Sequence, residues 1–177
     1  TEHLFNDGEN SDDSSKWEFL KWQYSLNHLG KEIHMCMEGY CSAYIYWYLK
    51  RFYGLMGDTD KRSPTSEGEI TKNGYIMAHY AQYATETTRI KVVTNNEEVC
   101  ATAYWDEKTG EVTIVLLNLN GASQWLEIPL AGIKKASAVE TNETKNMEVI
   151  DTGLMESAEG ITVLLSANSI TSVRLTF

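Results

Sequence analysis

At 177 residues, 42% hydrophobic and 11% aromatic, the chain can build a core and is too apolar to be a disordered segment. A formal net charge of -10 argues against nucleic acid as a partner, because surfaces that bind it are basic. No apolar run approaches the roughly 20 residues of a membrane span, so no membrane partner is expected either.

The chain opens on Thr1, which is no natural start, so it is expected to be cut or processed. Residues 4 to 15, "LFNDGENSDDSS", are polar, acidic and aperiodic and read as an exposed, mobile loop. Asp7, Glu9, Asp12 and Asp13 in it read as surface charge. Ser15-Lys16-Trp17-Glu18 has the form of a capping box, with Ser15 as the cap and Glu18 reaching back. A helix from about Lys16 to Met37 should follow, with Trp17, Leu20, Tyr24, Leu29, Ile33 and Met37 at near-helical spacing and Gly39 as its stop.

The run "SAYIYWYLKRFYG", Ser42 to Gly54, is apolar on both faces up to Leu49. That predicts a central strand covered on both sides. It ends in Lys50-Arg51, which from the residues alone either solvate the strand end or meet an anion. Residues 57 to 69 read as a long polar loop, and a second helix is predicted over about Asn73 to Ala84, carrying Tyr75, Tyr80 and Tyr83. After Thr85 come eight short β-rich runs, separated by turn-like stretches such as "NNEE", "EKTG" and "NLNG". They predict an antiparallel sandwich. Trp105 and Trp125 fall in these strands and are expected to be half-buried, although either could sit on a carbohydrate-binding face. One strand and two helices do not close a sheet, and a (β/α)8 barrel alone takes about 250 residues. The front of the fold is therefore expected to be missing.

Cys36, Cys41 and Cys100 allow at most one disulfide, and their spacing matches no zinc pattern, so all three are read as reduced, packed residues. His3, His28, His34 and His79 form no metal-ligand motif, and His79 is read as packed. The chain has no phosphate-binding glycine loop and no nucleophilic serine motif. No cofactor and no metal are expected.

"SAYIYWYLKRFYG", "ITKNGYIMAHYAQYA" and the closing "ANSITSVRLTF" together resemble the C-terminal part of glycoside hydrolase family 30, in its subfamily 8 of glucuronoxylan-directed endo-β-1,4-xylanases. The resemblance implies the end of a (β/α)8 barrel, from the end of strand seven to helix eight, over residues 1–85, followed by a β-sandwich side domain over 86–177. It implies that Glu2, in "TEH", is the catalytic nucleophile. It implies that Arg51, helped by Trp47 and Tyr53, meets the carboxylate of a glucuronate branch, and His3 could touch a sugar hydroxyl. Departures from the family pattern are Leu4, Tyr46 and Lys50, where it usually has Tyr, Trp and Arg. The acidic loop is also longer, with Ser11, Ser14 and Ser15 all candidates for a sugar-holding serine.

The family retains anomeric configuration, which takes two carboxyl groups about 5 Å apart. Its acid/base Glu lies upstream of this chain, so the isolated chain is expected to be inactive and to need the N-terminal barrel portion, in the same polypeptide or a second chain. The expected substrate is xylan or glucuronoxylan, and the expected location secreted, cell-surface or periplasmic. The alternatives are a sandwich with a barrel remnant that binds polysaccharide without cutting it, and another family 30 activity of β-glucosidase or β-1,6-glucanase type.

Overall fold

The computed structural model describes residues 4–150 and 160–177. The chain divides into two compact units, Thr1–Ala78 and His79–Phe177, with the division falling inside a helix.

In the first unit the chain makes two 3-10 turns, Ser14–Lys16 and Glu18–Leu20, before any α-helix begins. The capping box is not formed. Asp13 caps the first turn by accepting from the Ser15 amide, and Glu18 pairs with Lys21 at 2.5 Å instead of reaching back. The asparagine-like geometry of a short acidic side chain at the turn start outcompetes the hydroxyl two residues on. The helix then runs as α1 (Trp22–Ser25), a π-helical turn (Leu26–Gly30) and α2 (Lys31–Glu38). A π turn inserts an extra residue and shifts the apolar stripe. The residues it buries are Trp22, Leu26, Leu29 and Ile33, while Leu20, expected on the stripe, is exposed. Trp17 lies outside the helix and stacks on Phe19, beside Phe52 and Tyr53.

The predicted strand Ser42–Leu49 forms no ladder among the described residues. Tyr46 is buried, whereas Ile45, Tyr48 and Leu49 are exposed. Apolar, aromatic composition favours extended backbone, but a strand persists only where neighbours take its hydrogen bonds. Here the described contacts are bridges of Met56 to Lys50 and to Ile70. The following helix, α3 (Lys72–Tyr83), lies where it was predicted, within a residue.

The second unit is sandwich-like. Among the described residues eight strands form, one in each predicted run: β1 (Thr88–Ile90), β2 (Val99–Trp105), β3 (Val112–Asn118), β4 (Gln124–Ile128), β5 (Lys135–Thr141), β6 (Glu148–Ile150), β7 (Ile161–Leu165) and β8 (Ser169–Thr176). A six-stranded sheet has the order β1-β2-β3-β8-β5-β6, and β4 and β7 pair as a second sheet. All the pairings are antiparallel. Ile114, Leu116, Val173, Leu175 and Ala138 on the large sheet pack with Val163 and Leu165 on the small one. The opposite face of the large sheet is also covered. Val115 and Leu117 are fully buried, and His79 and Tyr80 of α3 meet Ser172, Thr141 and Thr102 there. Tyr80 thus packs on the sandwich sheet.

One polar hub sits at an end of this core. Glu140, with no exposed surface, accepts from the Ser166 amide and hydroxyl, from Asn142 and from Lys145 Nζ at 2.9 Å. Its charge is tolerable inside only because these donors replace water.

Candidate functional site

The segment that carries the expected sugar-binding residues is a tight reversal, Tyr46 to Gly57. Leu55 and Met56 donate back to the carbonyls of Tyr48 and Leu49, and the Gly54 amide donates to Arg51 at 2.8 Å. At Gly54 a Cβ would stand 2.8 to 3.0 Å from backbone atoms of Arg51 and Tyr48, so the reversal admits little but glycine there. Its floor is a buried network. The Tyr46 hydroxyl donates to the Tyr53 carbonyl at 2.8 Å, and Asn73 Nδ2 on α3 donates to the same carbonyl at 3.1 Å. Thr71 Oγ1 holds the Gly54 carbonyl at 2.7 Å. A departure from the family pattern, Tyr46, is therefore a structural anchor of this turn.

On that floor the two cations of the Lys-Arg pair part company. Lys50 pairs with Glu67 at 2.5 Å. Arg51 is exposed, with its guanidinium carbon 5.7 Å from the Tyr48 ring centroid and 5.9 Å from that of Phe52. Among the described residues no carboxylate comes within ion-pair distance of it. A guanidinium held over aromatic rings without an anion can give its planar fork to an incoming carboxylate. Trp47 is half-buried and lies 4.0 Å from the Tyr48 ring, joined to it by a cis peptide bond. Tyr53 is different. It is buried edge-on against Phe52, so it is a packing residue of the floor as much as a candidate ligand contact. Glu2 and His3 lie outside the described residues.

The acidic loop, read as exposed and mobile from its composition, is tied by hydrogen bonds of its own and from a second loop. Glu9 and Ser11 donate backwards to Asn6 and Gly8, Glu18 donates to the Asp7 carbonyl, and Trp17 Nε1 donates to the Ser11 carbonyl at 2.8 Å. Arg62 closes it from the second loop by donating to the Glu9 carbonyl. That second loop is tied at its base, where Gly57 donates to Glu69 and Gly68 to Gly57. Arg62 also forks onto both oxygens of Asp60, at 3.0 and 2.8 Å, and lays its guanidinium 3.7 Å from the Phe52 centroid. Those hydrogen bonds pull the Asp60 carboxyl down to about 2. Between the two loops lies a pocket of about 710 Å³, lined by residues 9–12, Ser14, Trp17 and 60–62. Sequence reasoning missed it. Its one advance signal was a tryptophan at the edge of an acidic, serine-rich loop.

Cys36, Cys41 and Cys100 are free thiols. Cys41 is exposed, not packed as expected, because it follows the end of α2 where the chain turns out to solvent. Burial pushes the Cys36 thiol up, with Cys41 beside it adding to the shift. Among the described residues no group of acidic, histidine and cysteine side chains could hold a metal. No helix of the described residues is long and apolar enough to cross a membrane.

No family model matches the chain. It is 30% identical over 157 residues to the glucuronoxylanase XynC of Bacillus subtilis (strain 168), an alignment that covers 86% of this chain and 34% of that protein. A second Bacillus subtilis glucuronoxylanase XynC is 29% identical over 143 residues, covering 78% of this chain and 31% of the relative. The chain thus spans about a third of the length of these curated relatives. Among solved structures, the glycoside hydrolase family 30 subfamily 8 xylanase Xyn30A from Clostridium acetobutylicum superposes with a TM-score of 0.79 at 21% identity, over 100% of this chain and 42% of that one. A GH30 endoxylanase from Clostridium papyrosolvens C71 gives 0.74 at 24% identity, over 100% and 41%. At these identities the structures speak for the fold. The resemblance to family 30, subfamily 8, read from the residues, is met by relatives and structures of that description.

Proposed function

We propose that this chain is the C-terminal part of a retaining glycoside hydrolase that cleaves β-1,4-xylan and recognises a glucuronate branch. The observation that carries the reading is the likeness to glucuronoxylanases over most of the chain, together with an exposed arginine in the position the family pattern gives to glucuronate recognition. Residues 1–85 then supply the last part of a (β/α)8 barrel, with the rest of the barrel contributed by the remainder of the protein, and the sandwich is its side domain. Two features support this. The barrel places functional groups at the C-terminal ends of its strands, and Arg51 stands two residues past the run Ser42–Leu49, which has the composition of one. The exposed apolar side chains Ile45, Tyr48 and Leu49 are a surface that neighbouring strands would cover.

In this mechanism Glu2 attacks the anomeric carbon. A second carboxyl group, upstream in the barrel, protonates the leaving oxygen and then activates the water that releases the sugar. Arg51 acts on binding: its fork pairs with the branch carboxylate, and Trp47 gives an aromatic face to the sugar. An enzyme acting on xylan works outside the cytoplasm, so secretion or display at the cell surface is part of the proposal.

The test is activity of the chain joined to its N-terminal barrel portion. Glu2→Gln should abolish hydrolysis of glucuronoxylan while leaving binding nearly intact; retained hydrolysis would remove Glu2 from the mechanism. Arg51→Ala should lower kcat/KM on glucuronoxylan by roughly 10- to 100-fold, the loss of a charged hydrogen-bonded pair. On undecorated xylan it should change little. Equal loss on both substrates would sink glucuronate recognition.

A further inference from the structure

The geometry points to a second carbohydrate site beside Arg51: we propose that the pocket between the acidic loop and the 57–69 loop takes an uncharged sugar unit. This rests on the xylanase reading for the polysaccharide involved, but not for the pocket's own chemistry.

The lining combines an aromatic ring, Trp17, with hydroxyls of Ser11 and Ser14, the Asn10 amide, the Glu9 and Asp12 carboxylates and the Lys61 ammonium. A sugar presents complementary needs of two kinds. Its C–H face packs on an aromatic plane, and its hydroxyls each donate and accept. Carboxylates, amide and ammonium placed around one ring can serve both roles. A volume of about 710 Å³ lies inside the range of about 300–1,000 Å³ usual for ligand sites, and leaves room for more than one pyranose.

Charge selects against an anion here. Arg62 is engaged by Asp60 through two hydrogen bonds, and the rest of the lining carries the carboxylates Glu9 and Asp12 against the single ammonium of Lys61. A glucuronate or phosphate would meet a surplus of carboxylates, whereas a neutral xylose or pentose branch would not. Arg51 shows the opposite arrangement, a cation with no carboxylate within ion-pair distance among the described residues. The two places therefore divide the labour by charge. They also adjoin, since Arg51 and Arg62 lie over the same Phe52 ring. The walls are preorganised. Asp60 holds Arg62, Arg62 holds the Glu9 carbonyl, and Trp17 holds Ser11, so little ordering is left for the ligand to impose.

Amide and indole NMR of the chain joined to its N-terminal barrel portion, titrated with xylotetraose, tests this. Saturable shifts are expected at the Trp17 indole and at the amides of residues 9–14 and 60–62. Trp17→Ala and Lys61→Ala should each weaken binding, the former by about tenfold. Because Trp17 also packs on Phe19, Ser14→Trp serves as a second variant: Ser14 is exposed, and a bulky ring there should fill the pocket and abolish the shifts without unfolding the chain. Absence of shifts at these residues overturns the proposal. So do shifts that persist in folded Ser14→Trp, or a stronger response to glucuronate than to xylose. The glucuronate reading is separated by Arg51→Ala. If that variant loses selective binding of a glucuronate-bearing oligosaccharide while the pocket stays silent, only the pocket falls. If the pocket responds and Arg51→Ala changes nothing, the pocket stands and the branch reading falls.

Discussion

His79 offers a test of the second unit that needs no substrate. It is fully buried on the outer face of the large sheet, with Nδ1 2.7 Å from Ser172 Oγ and Nε2 2.9 Å from Thr141 Oγ1. Burial alone pushes its pKa down to about 3, so it stays neutral in the folded chain at any ordinary pH. In the unfolded chain it takes up a proton near pH 6.5. Below 6.5 the unfolded state therefore binds more protons than the folded one, and stability falls as the pH falls, down to about 3. Above 6.5 the imidazole is neutral in both states and contributes no slope. Each pH unit inside the window is worth about 1.4 kcal/mol, so between pH 7.5 and 5 the loss comes to about 2 kcal/mol. Urea unfolding followed by far-ultraviolet circular dichroism at the two pH values gives the total change. Other groups add to it, which is why His79→Gln is the comparison. Its overall stability should drop, since the two hydroxyls lose a fitted partner, but about 2 kcal/mol of pH dependence should vanish with the imidazole. Parallel pH dependence in the two proteins would refute the argument and place a charged histidine in the fold.

Two further perturbations probe one buried support in each unit. Glu140→Ala removes the acceptor of at least four donors and leaves Lys145 and Ser166 without it, so a loss of about 3–5 kcal/mol is expected in urea unfolding; a loss below about 1 kcal/mol would show that water replaces the carboxylate freely. At Gly74 on α3 a Cβ would stand 2.2 Å from the Leu55 carbonyl oxygen. Gly74→Ala should therefore destabilise the first unit by about 1–3 kcal/mol, despite the better helix propensity of alanine. A stabilised variant, read from its thermal midpoint, would show that the turn can move away from the helix.

What could be read in advance follows the range of the interactions. The eight strands and α3 were legible because their signals are local: β-branched runs between turn residues, and apolar spacing along one helix. That β3 is buried on both faces was not, because it depends on His79 and Tyr80 covering one face and β4 and β7 the other. The first helix was misplaced at its start because a capping-box pattern at Ser15 and Glu18 is satisfied by four residues of any context, whereas Asp13 and the π turn at Leu26–Gly30 decide the outcome. The order in the acidic loop was invisible for a similar reason. It depends on Arg62, 53 residues away from the Glu9 carbonyl that it holds. Of the expected ligand residues, Arg51 could be picked out from the sequence only as one of a basic pair. Which member is committed elsewhere is decided by Glu67, which takes Lys50.

The segment from Met35 to Leu49 bears on the whole reading. Met35, Tyr40, Ile45, Tyr48 and Leu49 are all exposed, four of them by 60% or more or close to it. Single exposed apolar residues are ordinary, but five in fifteen, running through a stretch with strand composition, are not. The same stretch holds its turn firmly from below, through Tyr46, Asn73 and Thr71. One side of the segment is thus built and hydrogen-bonded, and the other presents apolar side chains and, among the described residues, backbone groups without a ladder. A strand in that condition is complementary to another strand. Under the proposed function the complement is the rest of the barrel, and its arrival would leave Arg51 where the existing turn already holds it. The binding of the branch would then depend on residues of this chain, and the cutting of the xylan on carboxyl groups contributed from both sides of the junction.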